Sequence, residues 1–374
     1  MTLLLGIPPM LAEFGLGRRG QLAPIGSLRR LGGTAWARLG YVFVAAGLMI
    51  LAYYSVIAGW TIRYAIEAVL HGFSAAAGEH FGAVASGGDA VAYHIGFMLL
   101  TILIVIGLAI WATTLDGAGE GYAVYLKPDL DELKSPTVWR AAAAQAFFSL
   151  SLGMGAMLTF ASYLRRDQNL PESATVVAFT DFGVAFVAGL IVFPVIYSLG
   201  LQGAVGASTV GALFIALPSA FEAMGGAGRV AGLFFFVTLA VGALTSAISL
   251  LEVVTASVMD EFGVARRKAA IGTGAVITAL GILPALSTDT LGLMDKIAGE
   301  LLLVAGALAT AVLAGWRVRG EVEAELIAGA SPFWARQVPR ILGVLRFAAP
   351  PIVAIVLFFS VRETIAAFTS YFAG

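Results

Sequence analysis

The sequence predicts an all-α protein, a polytopic bundle of membrane-spanning helices, and three observations carry that prediction. Of the 374 residues, 59% are hydrophobic and 12% charged, with a mean hydropathy of +0.92; water-facing side chains could not cover such a chain. The apolar stretches run to about 20 residues between charges, the length at which a helix crosses hydrocarbon. They also lack the short alternating pattern of barrel strands. No polar segment is long enough to bury a separate core, so residues 1–374 read as a single transmembrane domain.

Taken from charge to charge, the spans are about nine: roughly 1–16, 41–62, 93–115, 141–164, 174–199, 230–259, 269–286, 293–316 and 347–371. The first is short of the ~20 residues that a crossing helix needs before it meets Arg18 and Arg19. Basic residues cluster at Arg18, Arg19, Arg29, Arg30 and Arg38, at Arg165 and Arg166, at Arg266, Arg267 and Lys268, and between Arg317 and Arg346. The positive-inside rule makes these loops cytoplasmic. A single helix over 93–115 would then put the next loop inside, yet that loop carries Asp116, Glu120, Asp129, Asp131 and Glu132 against two lysines. The expectation is that 93–115 turns back, or stands where two helices belong. Residues 200–229 are half apolar and rich in glycine, and are expected to fold as a short helical hairpin, either an outer lid or a packed external loop.

Composition also closes off several functions. The net charge of −1 argues against nucleic acid, because holding phosphates takes an excess of Lys and Arg on one face. There is no cysteine and there are three histidines, which removes disulfides, thiol catalysis and most soft-metal sites. No acid pair, His cluster or Ser/Lys arrangement makes a reaction centre, so the chain does not read as an enzyme. Its opening residues, with no basic residue before the apolar run, are expected to belong to the fold rather than to a signal peptide.

The remaining chemistry lies in polar groups inside the spans, where an unpaired polar group is costly. The stretch AAQAFFSLSLGMGAMLTFASYL puts Ser149, Ser151, Gly153 and Gly155 at mid-depth. Small residues there fit either close helix packing or a helix broken to expose backbone to a solute. Gly242, Thr245 and Ser246 share one helix face at i, i+3 and i+4. Their oxygens could hold a small hard cation, or the hydroxyls could bond back to their own helix. Asp181 needs a cation, a proton or a buried partner. Of the mid-span Tyr53 and Tyr54, at least one phenol should need an internal partner. Glu13 is expected to brace a neighbouring helix rather than bind an ion.

These residues together resemble the neurotransmitter/sodium symporter family, especially its bacterial amino-acid transporters. GIPPMLAEFGLGR at 6–18 is similar to the family's second helix, AYYSVIAGW at 52–60 to its third, and QAFFSLSLGMG from Gln145 to its unwound sixth. GALTSAIS from Gly242 resembles the eighth helix and LMDKIAGE from Leu293 the outer end of the tenth. The resemblance implies a LeuT-type inverted-repeat fold, incomplete as read here: the first helix, which supplies half of the family's site, and part of the fourth and fifth have no counterpart, and the twelfth is absent too. The short first span and the charge-parity problem at 93–115 both fit that expectation.

What the resemblance implies about function is sodium-coupled symport of a small amino acid or similar solute, with no organic cofactor. Tyr54 would bond the substrate carboxylate, Phe148 would be an aromatic lid, Ser149 and Ser151 polar contacts, and Ile50, Met154 and Leu250 pocket walls. Ser149 and Asp181 would belong to a first Na+ site, and Gly242, Thr245 and Ser246 to a second that borders the substrate. Asp181, standing where the family commonly has Asn, would make chloride unnecessary. Asp260 and Asp295 would be inner and outer gate acids without their arginine partners. The implied location is a cell membrane, the bacterial inner membrane, with a homodimer or a complementing chain as possible partners. The alternative to a symporter is a non-transporting relic or binding subunit that needs another polypeptide.

Overall fold

Proline opens several of the helices in this protein. At Pro24, Pro136 and Pro332 it occupies the first turn, where its missing N–H leaves no bond unmade. The computed structural model describes residues 5–70, 107–127, 129–205 and 212–373, and every regular element among them is helical. In chain order these are α1 (Ile7–Gly20), α2 (Pro24–Gly32), α3 (Thr34–Leu70), α4 (Ala118–Leu126), α5 (Pro136–Ser149), α6 (Ala156–Ser162), α7 (Leu170–Ser198), α8 (Leu217–Ala223), α9 (Gly226–Phe262) and α10 (Arg266–Leu286). There follow α11 (Thr288–Arg317), α12 (Arg319–Ile327), α13 (Pro332–Phe347) and α14 (Ala349–Ala373). Within α11 the winding relaxes to π-helical over Lys296–Leu302 and again over Leu313–Arg317.

Six of the described stretches are long and apolar enough to cross a membrane: Thr34–Ala58 in α3, then α7, α9, α10, α11, and Pro332–Phe372 across α13 and α14. The other three expected spans have separate fates. The 1–16 stretch yields α1, a 14-residue helix buried along nearly its whole length. The 141–164 stretch divides into α5 and α6. The 93–115 stretch falls mostly outside the described residues.

The described residues group into two units. The first comprises residues up to Ser55, Asp131–Phe182 and Ser246 onward. Here α1 is the hub and packs on α2, α6, α11, α12 and α13, while α11 also packs on α5 and α14. Small residues set these distances: a methyl group on Gly17 would overlap the Leu158 carbonyl, and one on Gly306 the Gly153 carbonyl. The C-terminal end of α1 is held by Arg18. Its guanidinium is buried with Glu325, 3.3 Å away, and donates to the carbonyls of Arg165, Gln168 and Ala328. Glu325 also accepts from Arg166, which pushes that guanidinium above its usual range.

The second unit comprises Val56–Leu130 and Gly183–Thr245. Its core gathers Leu108, Ile191, Leu217, Phe221 and Phe236, beside a smaller group of Val195, Ala216 and Ala220. Tyr125 of α4 stacks on Phe193 of α7 at 4.8 Å between ring centroids, and Gly189 leaves room for its ring. The expected hairpin over 200–229 is present in its described parts: a turn at Gln202–Val205, a π turn at Ala212–Ala216, then α8. Its apolar residues Ala216, Leu217, Ala220 and Phe221 are buried in this unit's own core, so here it is a packed element.

Candidate functional site

The centre of the candidate site is the interruption between α5 and α6. After Ser149 the helical pattern fails. Leu152 N–H reaches back to the Phe147 carbonyl at 2.8 Å, and Ser151 N–H to the Phe148 carbonyl at 3.1 Å. Ser151, Gly153 and Gly155 all take left-handed backbone, with φ of 55°, 76° and 76°. Glycine adopts that region at no steric cost, whereas Ser151 must be held there by its surroundings. Alternating with them, Leu150, Leu152 and Met154 are at most 2% exposed. The break is braced from α1: Glu13, fully buried, accepts from the Gly153 amide at 2.7 Å. Glu13 thus does the bracing expected of it. Both readings of the small residues also hold, because the helix is broken and Gly153 packs tightly on the Leu303 carbonyl of α11.

At the edge of the break Ser149 Oγ donates to Asp181 Oδ1 at 2.6 Å, which brings together two residues expected at one cation site. Ser149 is exposed and Asp181 half-buried. A hydroxyl and a carboxylate are hard oxygen ligands, suited to a small alkali cation. Among the described residues there is no group of three or more His, Cys, Asp or Glu that could hold a metal ion.

Ile50, Met154 and Leu250, expected as pocket walls, are all buried in the first unit, and Phe148 and Tyr54 are half-buried. Of the tyrosine pair it is Tyr53 whose phenol finds the internal partner, donating to Asp295 Oδ1 at 2.9 Å. The Cβ position of Gly299, in the π segment just beyond, lies 3.0 Å from Asp295 Oδ1, 3.6 Å from the Phe148 ring and 3.8 Å from the Tyr53 hydroxyl. Asp260, the other expected gate acid, accepts from the Ala23 amide at 2.7 Å. Each acid therefore has a partner that the sequence reading did not supply.

The second expected cation site is less assembled. Gly242 and Thr245 belong to the second unit, where Thr245 Oγ1 donates to the Gly242 carbonyl at 2.8 Å, the back-bonding weighed against an ion site. Ser246 is exposed on the first unit's part of α9. Sequence reasoning missed two clusters. One is Glu252, which accepts from Tyr163 at 2.8 Å and from Arg266 at 2.6 Å. The other is the ion pair of Arg140 with Glu300. Glu300 closes the LMDKIAGE motif, so its position was visible; its partner, 160 residues away, was not.

A family model described as the sodium:neurotransmitter symporter family matches residues 82–372. An uncharacterised sodium-dependent transporter of Bacillus subtilis is 32% identical over 319 residues, 78% of this chain and 70% of its own. One of Haemophilus influenzae is 28% identical over 375 residues, 87% of this chain and 81% of its own. Among solved structures, MhsT in complex with L-phenylalanine superposes with a TM-score of 0.79 at 34% identity, covering 96% of this chain and 89% of that one.

Proposed function

The chain belongs to the sodium:neurotransmitter symporter family, and from that premise we propose that it moves a neutral, mainly apolar amino acid across the membrane with sodium, binding both at the break between α5 and α6. It is a multi-pass membrane transporter, not an enzyme, and its family couples transport to sodium. The observation that carries the finer reading is the Ser149–Asp181 contact at the broken helix. Sodium would replace the shared proton contact and take oxygens from both side chains, with Asp181 supplying the countercharge. That fixed charge is also why we expect no need for chloride.

The solute then sits beside the cation. Tyr54 would donate to its carboxylate, Ser151 would accept from its amine, and Ile50, Met154 and Leu250 would enclose its side chain, with Phe148 above. Gly242, Thr245 and Ser246 are the proposed second sodium site. Using it requires the Thr245 hydroxyl to leave the Gly242 carbonyl, an exchange of one oxygen contact for another. Asp295 and Asp260 would close the outer and inner ends.

The experiment is uptake of labelled L-phenylalanine, the ligand in the MhsT structure, into proteoliposomes under an imposed sodium gradient, with chloride or gluconate as the anion. Sodium-driven accumulation equal in both anions is the expected result. Sodium-dependent binding without uptake would favour the alternative, a binding subunit completed by another polypeptide. Neither uptake nor binding, repeated with leucine and alanine, would overturn the reading.

A further inference from the structure

The first unit holds a partly buried charge pair that the proposed transport reading does not use. Arg140, in the second turn of α5, pairs with Glu300 in the π segment Lys296–Leu302 of α11. Their side chains are 9% and 26% exposed, so both charges have lost much of their hydration. The same turn follows directly on Asp295 and carries Gly299 against Phe148 and Tyr53. Within six residues, 295–300, α11 therefore meets the expected gate acid, its tyrosine, the expected aromatic lid and the arginine at the other end of the lid's own helix.

Arg140 and Phe148 are eight residues apart, about 12 Å along an α-helix. α5 is thus held to α11 at two points, by charge near its start and by ring packing on a glycine near its end. The element that receives both contacts is π-wound, the form in which a helix carries an extra residue and often sits at a working part of a protein. Neutralising one partner would leave the other charge half-buried and uncompensated, a state relieved by parting the helices and admitting water. Exchanging the two charges would keep the attraction in place.

We propose that Arg140 and Glu300 form an outer latch that positions α5 so that Phe148 stays closed over the bound solute. Neither residue touches the solute, so both are positioning residues, and the proposal rests on the reading of Phe148 as a lid. The chain has no cysteine, which permits a test without ligand. Ala144, 7% exposed on α5, is replaced by cysteine in the full-length protein, and its reaction with a membrane-impermeant maleimide is followed in nanodiscs. Arg140→Gln and Glu300→Gln are each expected to speed labelling about tenfold, and the exchange R140E/E300R to return it to within about threefold of the parent. A second arm follows release of labelled L-phenylalanine in sodium buffer: the single variants should release it about tenfold faster, and the exchanged pair should recover. Unchanged labelling in both single variants, or faster labelling that the exchange fails to reverse, would overturn the latch. Faster labelling in a protein that binds no phenylalanine would leave the latch standing and sink the reading of the solute.

Discussion

Asp181 sits where a neutral amide would serve geometry equally well, so its charge is the part that can be tested. Asp181→Asn keeps the oxygen beside Ser149 and removes the countercharge. The sodium concentration for half-maximal phenylalanine binding should rise on the order of tenfold, read from a sodium titration at constant ionic strength. Gly153→Ala forces a methyl group into left-handed backbone, at about 1–2 kcal/mol, and into the Leu303 carbonyl as well. A clear fall in the melting temperature of the detergent-solubilised protein is expected. Tyr53→Phe removes the bond to Asp295 and should cost about 1–3 kcal/mol of stability, whereas Tyr54→Phe should spare stability and weaken solute binding. At this scale Ser149, Asp181 and the need for a bonded phenol were legible, because a polar group inside an apolar run demands a partner. Which partner was not legible: Tyr53 meets Asp295 across 242 residues, and Ala23 meets Asp260 across 237.

Helices show the same division. The break in 141–164 could be read ahead, since two glycines at mid-depth invite unwinding, but the left-handed Ser151 could not, because serine carries no such signature. The π segments of α11 were invisible too: one extra residue per turn leaves the hydropathy pattern nearly intact. The hub helix α1 offers a direct contrast between buried and exposed charge. Glu325→Gln strands Arg18 in the interior and should destabilise by about 3–5 kcal/mol. Glu321→Gln breaks a pair with Arg19 whose side chains are 45% and 44% exposed, and should cost about 0–1 kcal/mol. Thermal unfolding of the two variants side by side checks the difference.

Over the whole molecule, all-helical architecture and membrane residence followed from composition and span length; every regular element among the described residues is helical, and the family is one of membrane transporters. Six of the expected spans are long apolar helices among the described residues, while α1 and the α5–α6 stretch differ in form from a through-going helix. Charge distribution further predicts orientation. With no native cysteine to interfere, Asp129→Cys should react with an impermeant maleimide added outside intact cells, and Arg267→Cys only after the membrane is opened.

The interruption after Ser149 has one more consequence. Its odd-numbered residues 151, 153 and 155 carry the left-handed backbone, while the even-numbered Leu150, Leu152 and Met154 point into the interior. Shape and contents are thereby assigned to alternate positions of one six-residue word. On the proposed reading of Met154 as a pocket wall, a lineage could rewrite it, and with it the size of solute admitted, without disturbing the path of the chain, so that preference would drift while the architecture stays where it is.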